Sequence, residues 1–254
     1  MSWYFRLDLM NDVSRETPSV PEVARRVFRI DRLPLAEAYA GLLATAGVER
    51  GLIGPREAPR LWDRHLLNCA VLGELLPESS SVADVGSGAG LPGVVLAIQR
   101  PDLQITLIEP LLRRTTFLSE VVEQLSLTNV EVVRGRADGL HHERTFDVVT
   151  SRAVAPLGRL LEWSMPLVSP DGALVAMKGS SITDEVAEAR PVLSKLGCAE
   201  PEVSVLGEGL LDSTTLAVRV AWADPSKVSL ASMPDSAARR SGAKNARSKR
   251  RKKT

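Results

Sequence analysis

Ten residues at 84–93, DVGSGAGLPG, carry the densest chemical signal in this 254-residue chain. An apolar run ending in an acid, then four glycines, then the apolar run 94–98 reads as strand, tight turn and helix. Glycine lets a backbone come close to a ligand, and a helix start offers unpaired N–H groups. Asp84 makes the motif selective. It places negative charge where a pyrophosphate would need stabilising, and Pro92 withholds an N–H, so the literal GxGxxG at 88–93 is a poor phosphate cradle. A cofactor with a cationic sulfur and an amino group, S-adenosylmethionine, avoids that conflict. Asp84 is expected to face its methionine end, with capping of the glycine turn as the competing role.

Other chemistry-bearing residues follow apolar runs at regular intervals. Glu109 suits both hydroxyls of a ribose, with a helix cap or surface acid before Leu111 as the competing role. Arg136, Ala137 and Asp138 are placed to border an adenine. Arg152 and Lys178 follow two later runs and are expected to form a basic rim for a polyanionic substrate, joined by Arg64 and His65 from an earlier helical stretch. A surface role competes for each lone cation. His141, His142, Cys69 and Cys198 lack metal-ligand spacing, so no metal is expected.

Positioning these residues takes an alternating α/β chain. Strands are predicted at 81–85, 104–109, 130–134, 146–151, 172–177, 199–206 and 213–221, and helices at 92–100, 111–126, 157–167 and 181–195. The first five strands form a parallel sheet covered on both faces, and the last two an antiparallel edge hairpin. Helices at 21–30, 34–46 and 60–76 precede the sheet. The expected organisation is a loose N-terminus (1–18), a helical segment (19–79), a cofactor-binding core (80–222) and a basic disordered tail (223–254).

The net charge of +1 conceals an asymmetry. Residues 239–254 hold nine of the 32 Lys and Arg residues and no acid, leaving 23 basic against 31 acidic residues elsewhere. Such a tail suits a polyanion such as RNA, and solubility alone is the competing role. No apolar run approaches membrane-spanning length, and two cysteines fit a reduced, cytoplasmic setting.

Together, Arg64-His65, the motif at 84–93, Glu109, Arg113-Arg114, Arg136-Ala137-Asp138, Ser151-Arg152-Ala153 and Lys178-Gly179 resemble the bacterial 16S rRNA guanine-N7 methyltransferases, the glucose-inhibited division protein B family, over about 35–220. The resemblance implies a Rossmann-like class I methyltransferase fold with a seven-stranded mixed sheet. It also implies methyl transfer from S-adenosylmethionine to N7 of one guanine in the 530 loop, and low-level streptomycin resistance on loss. The implied cofactor contacts are Asp84, Gly86, Ser87, Gly88, Gly90, Leu91, Glu109, Arg136, Ala137, Asp138 and Arg152. The implied substrate contacts are Arg64, His65, Arg152 and Lys178. The partner would be 16S rRNA or the 30S subunit, met by a monomer without an acid/base or nucleophilic catalytic residue. Asn68-Cys69 stands where the family often has Asp-Ser, and 50–53 departs from its usual Trp-Asn-Leu-Thr. The alternatives are an NAD-dependent oxidoreductase and a non-catalytic RNA-binding or assembly protein.

Overall fold

Seven strands form one sheet in the order β3-β2-β1-β4-β5-β7-β6. The computed structural model describes residues 19–228; the predicted loose N-terminus and the basic run at 239–254 lie outside them. The strands are β1 (Ser81–Val85), β2 (Gln104–Glu109), β3 (Val130–Arg134), β4 (Phe146–Arg152), β5 (Val168–Lys178), β6 (Glu202–Leu206) and β7 (Thr215–Ala221). The first five run parallel, β7 pairs antiparallel with β5, and β6 pairs antiparallel with β7. This is the Rossmann-like class I methyltransferase fold. The reversed last strand sits between β5 and the edge, so the closing hairpin is inserted as well as appended.

Alternation along the strands divides the interior in two. On one side, Val82, Val148, Val175 and Met177 pack with α4 (Gly93–Gln99), α5 (Leu112–Gln124) and the N-terminal helical segment. On the other, Ala83, Val149, Leu174 and Ala176 pack with α6 (Leu157–Ser164) and α7 (Ile182–Leu196). The run Val94, Val95, Leu96, Ala97 and Ile98 is buried all round because α4 lies between the sheet and the N-terminal layer. That explains why it shows no amphipathic stripe.

The N-terminal layer is more broken than its periodicity predicts. It contains α1 (Ala24–Val27), α2 (Leu33–Leu42) and α3 (Leu67–Ala70), joined by π turns at Leu43–Gly47 and Leu61–Leu66 and by 3-10 turns at Pro55–Arg60 and Val71–Leu75. The strand expected at 172–177 begins at Val168. Phe146 pairs with Val168 and Val148 with Ala173, so residues 169–172 form an irregularity in β5. Gly172 permits it, since a Cβ there would lie 2.6 Å from the Asp147 carbonyl oxygen. The strand expected from 199 starts at Glu202, after Pro201, which has no N–H for the ladder.

Candidate active site

The carboxyl ends of β1, β2, β3 and β4 open onto a cavity of about 510 Å³, a size suited to a small-molecule ligand. The loop after β1 makes its floor. Gly86 and Ser87 N–H both donate to the Ile108 carbonyl, at 2.9 and 3.2 Å, which ties the loop to β2. Ser87 Oγ donates to the Asp84 carbonyl at 2.8 Å. Gly86, Gly88 and Gly90 have φ of +73°, +59° and +99°, a region that disfavours any side chain. Gly88 faces open space. Gly90 does not: a Cβ there would lie 2.8 Å from Tyr39 Oη.

Glu109 is 1% exposed, yet its carboxylate lines the cavity. Oε2 accepts from Gly88 N–H at 3.0 Å and Oε1 from Leu111 N–H at 3.0 Å, with Arg114 Nη1 3.5 Å from Oε2. Each carboxylate oxygen can accept a second hydrogen bond. The backbone bonds therefore aim the group, leaving one acceptor position open on Oε1 and a second on Oε2 held only by the long Arg114 contact. Ala137 lines the cavity wall, and Arg136 and Asp138 form an exposed ion pair at 3.3 Å on its rim.

Asp84 is placed differently from expectation. It is 0% exposed and lies behind the loop, outside the cavity lining, on the same side of β1 as Val82. Oδ2 accepts from Gly93 N–H at 3.0 Å, and Oδ1 has no partner. The carboxylate thus caps the start of α4. With Gly93 N–H committed and Pro92 lacking one, a pyrophosphate would meet a buried acid where a dinucleotide site needs donors. The structure removes the literal GxGxxG as support for NAD.

Burial pushes the Asp84 carboxyl up to about 7, against the lowering effects of the Gly93 bond and Arg152. The free protein therefore holds a proton on Asp84 between about pH 4 and 7 that the unfolded chain has released. Its stability is expected to fall as pH rises through that window, by up to about 1.4 kcal/mol per pH unit from this group. Chemical denaturation of wild type and Asp84→Asn from pH 4.5 to 7.5 checks this. Equal slopes for the two proteins would contradict it.

Other residues separate into those at the cavity and those away from it. Gly86, Ser87, Gly88, Leu91, Glu109, Arg136, Ala137, Asp138 and Arg152 line it; Asp84, Gly90, Arg64, His65 and Lys178 do not. Lys178 needs the clearest correction. It shares the α7-facing side of β5 with Leu174 and Ala176. Its Nζ donates to Glu185 Oε2 at 2.6 Å and to the Ala155 carbonyl at 2.9 Å, and its side chain is 8% exposed. A cation so engaged pins the loop after β4 to α7 and does not form a rim with Arg152. Arg64 is half-exposed and 3.6 Å from Glu57, while His65 Nε2 lies 3.0 Å from Glu57 Oε2. Arg152, at the end of β4, points to the side of the N-terminal layer, in phase with Val148.

Several lining residues were not among the expected contacts, although Leu52 and Ile53 fall in the 50–53 stretch that departs from the family pattern. Leu52 and Ile53 come from the N-terminal layer, Val154 from the loop after β4 and Trp163 from α6. Arg114, of the Arg113-Arg114 pair that carries part of the resemblance, lines the cavity beside Glu109. Tyr39 stands behind the loop and donates its buried hydroxyl to the Ala89 carbonyl at 2.7 Å. Among the described residues, no three His, Cys, Asp or Glu side chains are grouped to hold a metal ion.

Residues 32–213 match the GidB family, described as rRNA small subunit methyltransferase G. The chain belongs to this family. It is 66% identical over 221 residues to the Ribosomal RNA small subunit methyltransferase G of Nocardioides sp., covering 87% of this chain and 88% of that protein. The proteins of the same name from Streptomyces avermitilis (57% identity; 81% of this chain, 86% of that one) and Salinispora tropica (56%; 80% and 87%) are similarly related. The GidB match takes in the lining of the cavity and the Arg64-His65 pair, and stops before β7.

Proposed function

We propose that this protein is an S-adenosylmethionine-dependent enzyme that methylates N7 of one guanine in the 530 loop of 16S rRNA. The observation that carries the cofactor half is the pair of buried carboxylates at the glycine loop. Glu109 lines the cavity with spare acceptor capacity, and Asp84 occupies the helix start where a phosphate would otherwise bind. Family membership carries the RNA half.

The chain's residues supply binding and alignment. Glu109 accepts the ribose hydroxyls. Ala137, with Arg136 and Asp138 at the rim, borders the adenine, and Gly86, Ser87, Gly88 and Leu91 pass beneath the remainder. Asp84 acts from behind the loop: it holds Gly93, and once ionised its field favours positive charge in front of it. S-adenosylmethionine supplies an electrophilic methyl group on a cationic sulfur. Guanine N7 presents a lone pair at neutral pH, so no side chain has to remove a proton first, and rate comes from alignment. Arg152 contributes positive charge for RNA at the end of β4.

In this reading, 19–79 is a substrate-side layer on a core at 80–222. The basic run at 239–254 adds salt-sensitive phosphate contacts on the 16S rRNA or 30S particle. The protein acts as a cytoplasmic monomer. No helix of the described residues is long and apolar enough to cross a membrane. Calorimetric titration with S-adenosylmethionine and with NADH tests the cofactor assignment. Saturable binding of the first alone is expected; binding of NADH without S-adenosylmethionine would overturn the reading.

A further inference from the structure

Two bare acceptors lie together in the N-terminal layer. His65 and Asn68 are three residues apart across the junction of a π turn with α3, so they share a side. His65 Nε2 is 3.0 Å from the Glu57 carboxylate, which takes a proton and offers none. Nε2 therefore carries the hydrogen, and Nδ1 is left as a buried lone pair without a partner. Burial and the nearby Arg152 hold the ring's pKa below its ordinary value, which keeps it neutral. Asn68 Nδ2 donates to the Arg64 carbonyl at 3.4 Å, and Oδ1 is buried without a donor. Exchanging the amide's O and N would set oxygen against that carbonyl, so the orientation is determined.

Both lie behind the cavity wall on the side of Arg152, which lines the cavity while His65 and Asn68 do not. The Asn68 carbonyl accepts from Thr215 Oγ1 at 3.5 Å, at the start of β7. The neighbouring Leu216 pairs with Lys178, and Met177 pairs with Arg152, so Asn68 lies over the carboxyl end of β5 and the start of the antiparallel β7. Arg152 projects to that same side of the sheet, as does Asp84. The charge of Arg152 is felt by Tyr39, His65, Cys69 and Asp84, as expected if all surround it.

We propose that His65 Nδ1 and Asn68 Oδ1 read the Watson–Crick edge of the acceptor base. Guanine offers two adjacent donors there, N1–H and the N2 amino group, while N7 lies on the opposite edge, free to face the methyl donor. Adenine presents a lone pair at N1 and has no N2 amino group, so it would set acceptor against acceptor. An unmade bond to a buried polar group is a strong means of rejection. The pair thus accounts for a guanine-specific site in which nothing has to act as a base. The inference rests on the guanine methyltransferase reading above.

The test compares 30S particles reconstituted with guanine or with inosine, which lacks the N2 amino group, at the position the wild-type protein modifies. kcat/KM for methyl transfer is measured for wild type, His65→Phe, Asn68→Leu and Asn68→Asp. Wild type is expected to lose roughly tenfold or more on inosine. Asn68→Leu or His65→Phe should be slower on guanine yet nearly indifferent to the exchange. Asn68→Asp, which keeps an acceptor, should still discriminate. S-adenosylmethionine affinity should be unchanged in all three variants. Wild-type discrimination persisting in both Asn68→Leu and His65→Phe would overturn the proposal, as would equal wild-type rates on the two particles. Parallel loss of cofactor affinity would reduce both residues to structural roles. Failure of the wild type on guanine particles would instead strike the enzyme reading itself.

Discussion

Glu109→Ala is expected to weaken S-adenosylmethionine binding by about 1.5–3 kcal/mol or more, a loss of roughly 10- to 150-fold, while leaving RNA affinity nearly unchanged. Two effects add. The ribose loses a charged acceptor, and Gly88 N–H and Leu111 N–H lose the oxygens that hold them. The second effect makes Glu109→Gln informative. Gln is nearly isosteric, but its NH2 must face one of those two N–H donors, so it is expected to restore only part of the affinity. Calorimetric titration of both variants, after thermal melting has shown them folded, gives the comparison. Wild-type cofactor affinity in folded Glu109→Ala would remove this residue from the cofactor site.

The next-largest effect separates Gly88 from Gly90 in the same loop. At Gly90, φ is +99° and a Cβ would lie 2.5 Å from Val94 Cγ2, 2.8 Å from Tyr39 Oη and 3.1 Å from Leu118 Cδ2. Gly90→Ala forces the loop away from α4, α5 and α2, at about 2–5 kcal/mol when backbone strain and overpacking are combined. At Gly88, φ is +59° and the nearest atom to a Cβ is the Gly86 carbonyl oxygen at 3.8 Å. Gly88→Ala should cost about 1–2 kcal/mol of stability from backbone strain alone. Its methyl group enters the space proposed for the cofactor, so affinity should fall well beyond what the stability loss accounts for. Urea denaturation and cofactor titration of the pair check this. Gly90→Ala as stable as wild type, or Gly88→Ala with undiminished affinity, would contradict the loop geometry.

Much of the frame was legible because strand ends are marked chemically. An apolar run closed by Asp84, Glu109 or Arg152 announces both the strand and its ligand-facing end. The faces of those strands were not legible. In a sheet covered on both sides, Leu174, Val175, Ala176 and Met177 are all apolar, so alternation does not reveal which way Lys178 turns. Its place became visible with α7, which brings Glu185 to it. Asp84 shows the same limit: its type and position pointed to the ligand, and the fold turns the side chain behind the loop, onto Gly93.

Leu52, Ile53 and Trp163 reach the cavity through packing between distant segments, which no local spacing encodes. Tyr39 joins the loop from 50 residues away. The π turns at Leu43–Gly47 and Leu61–Leu66 escaped because a helix widened by one residue keeps nearly the same apolar stripe. The second of them adjoins α3 and helps bring His65 and Asn68 to one side.

The central claim is tested most directly by labelled methyl transfer. The protein is incubated with S-adenosylmethionine labelled in its methyl group, and with either deproteinised 16S rRNA or 30S subunits from cells lacking the enzyme. The modified base is then mapped. The account predicts label at N7 of a single guanine in the 530 loop, on at least one of the two substrates. RNA binding without label on either would leave a non-catalytic RNA-binding protein and contradict the account, as would label on a different atom or on ribosomal protein.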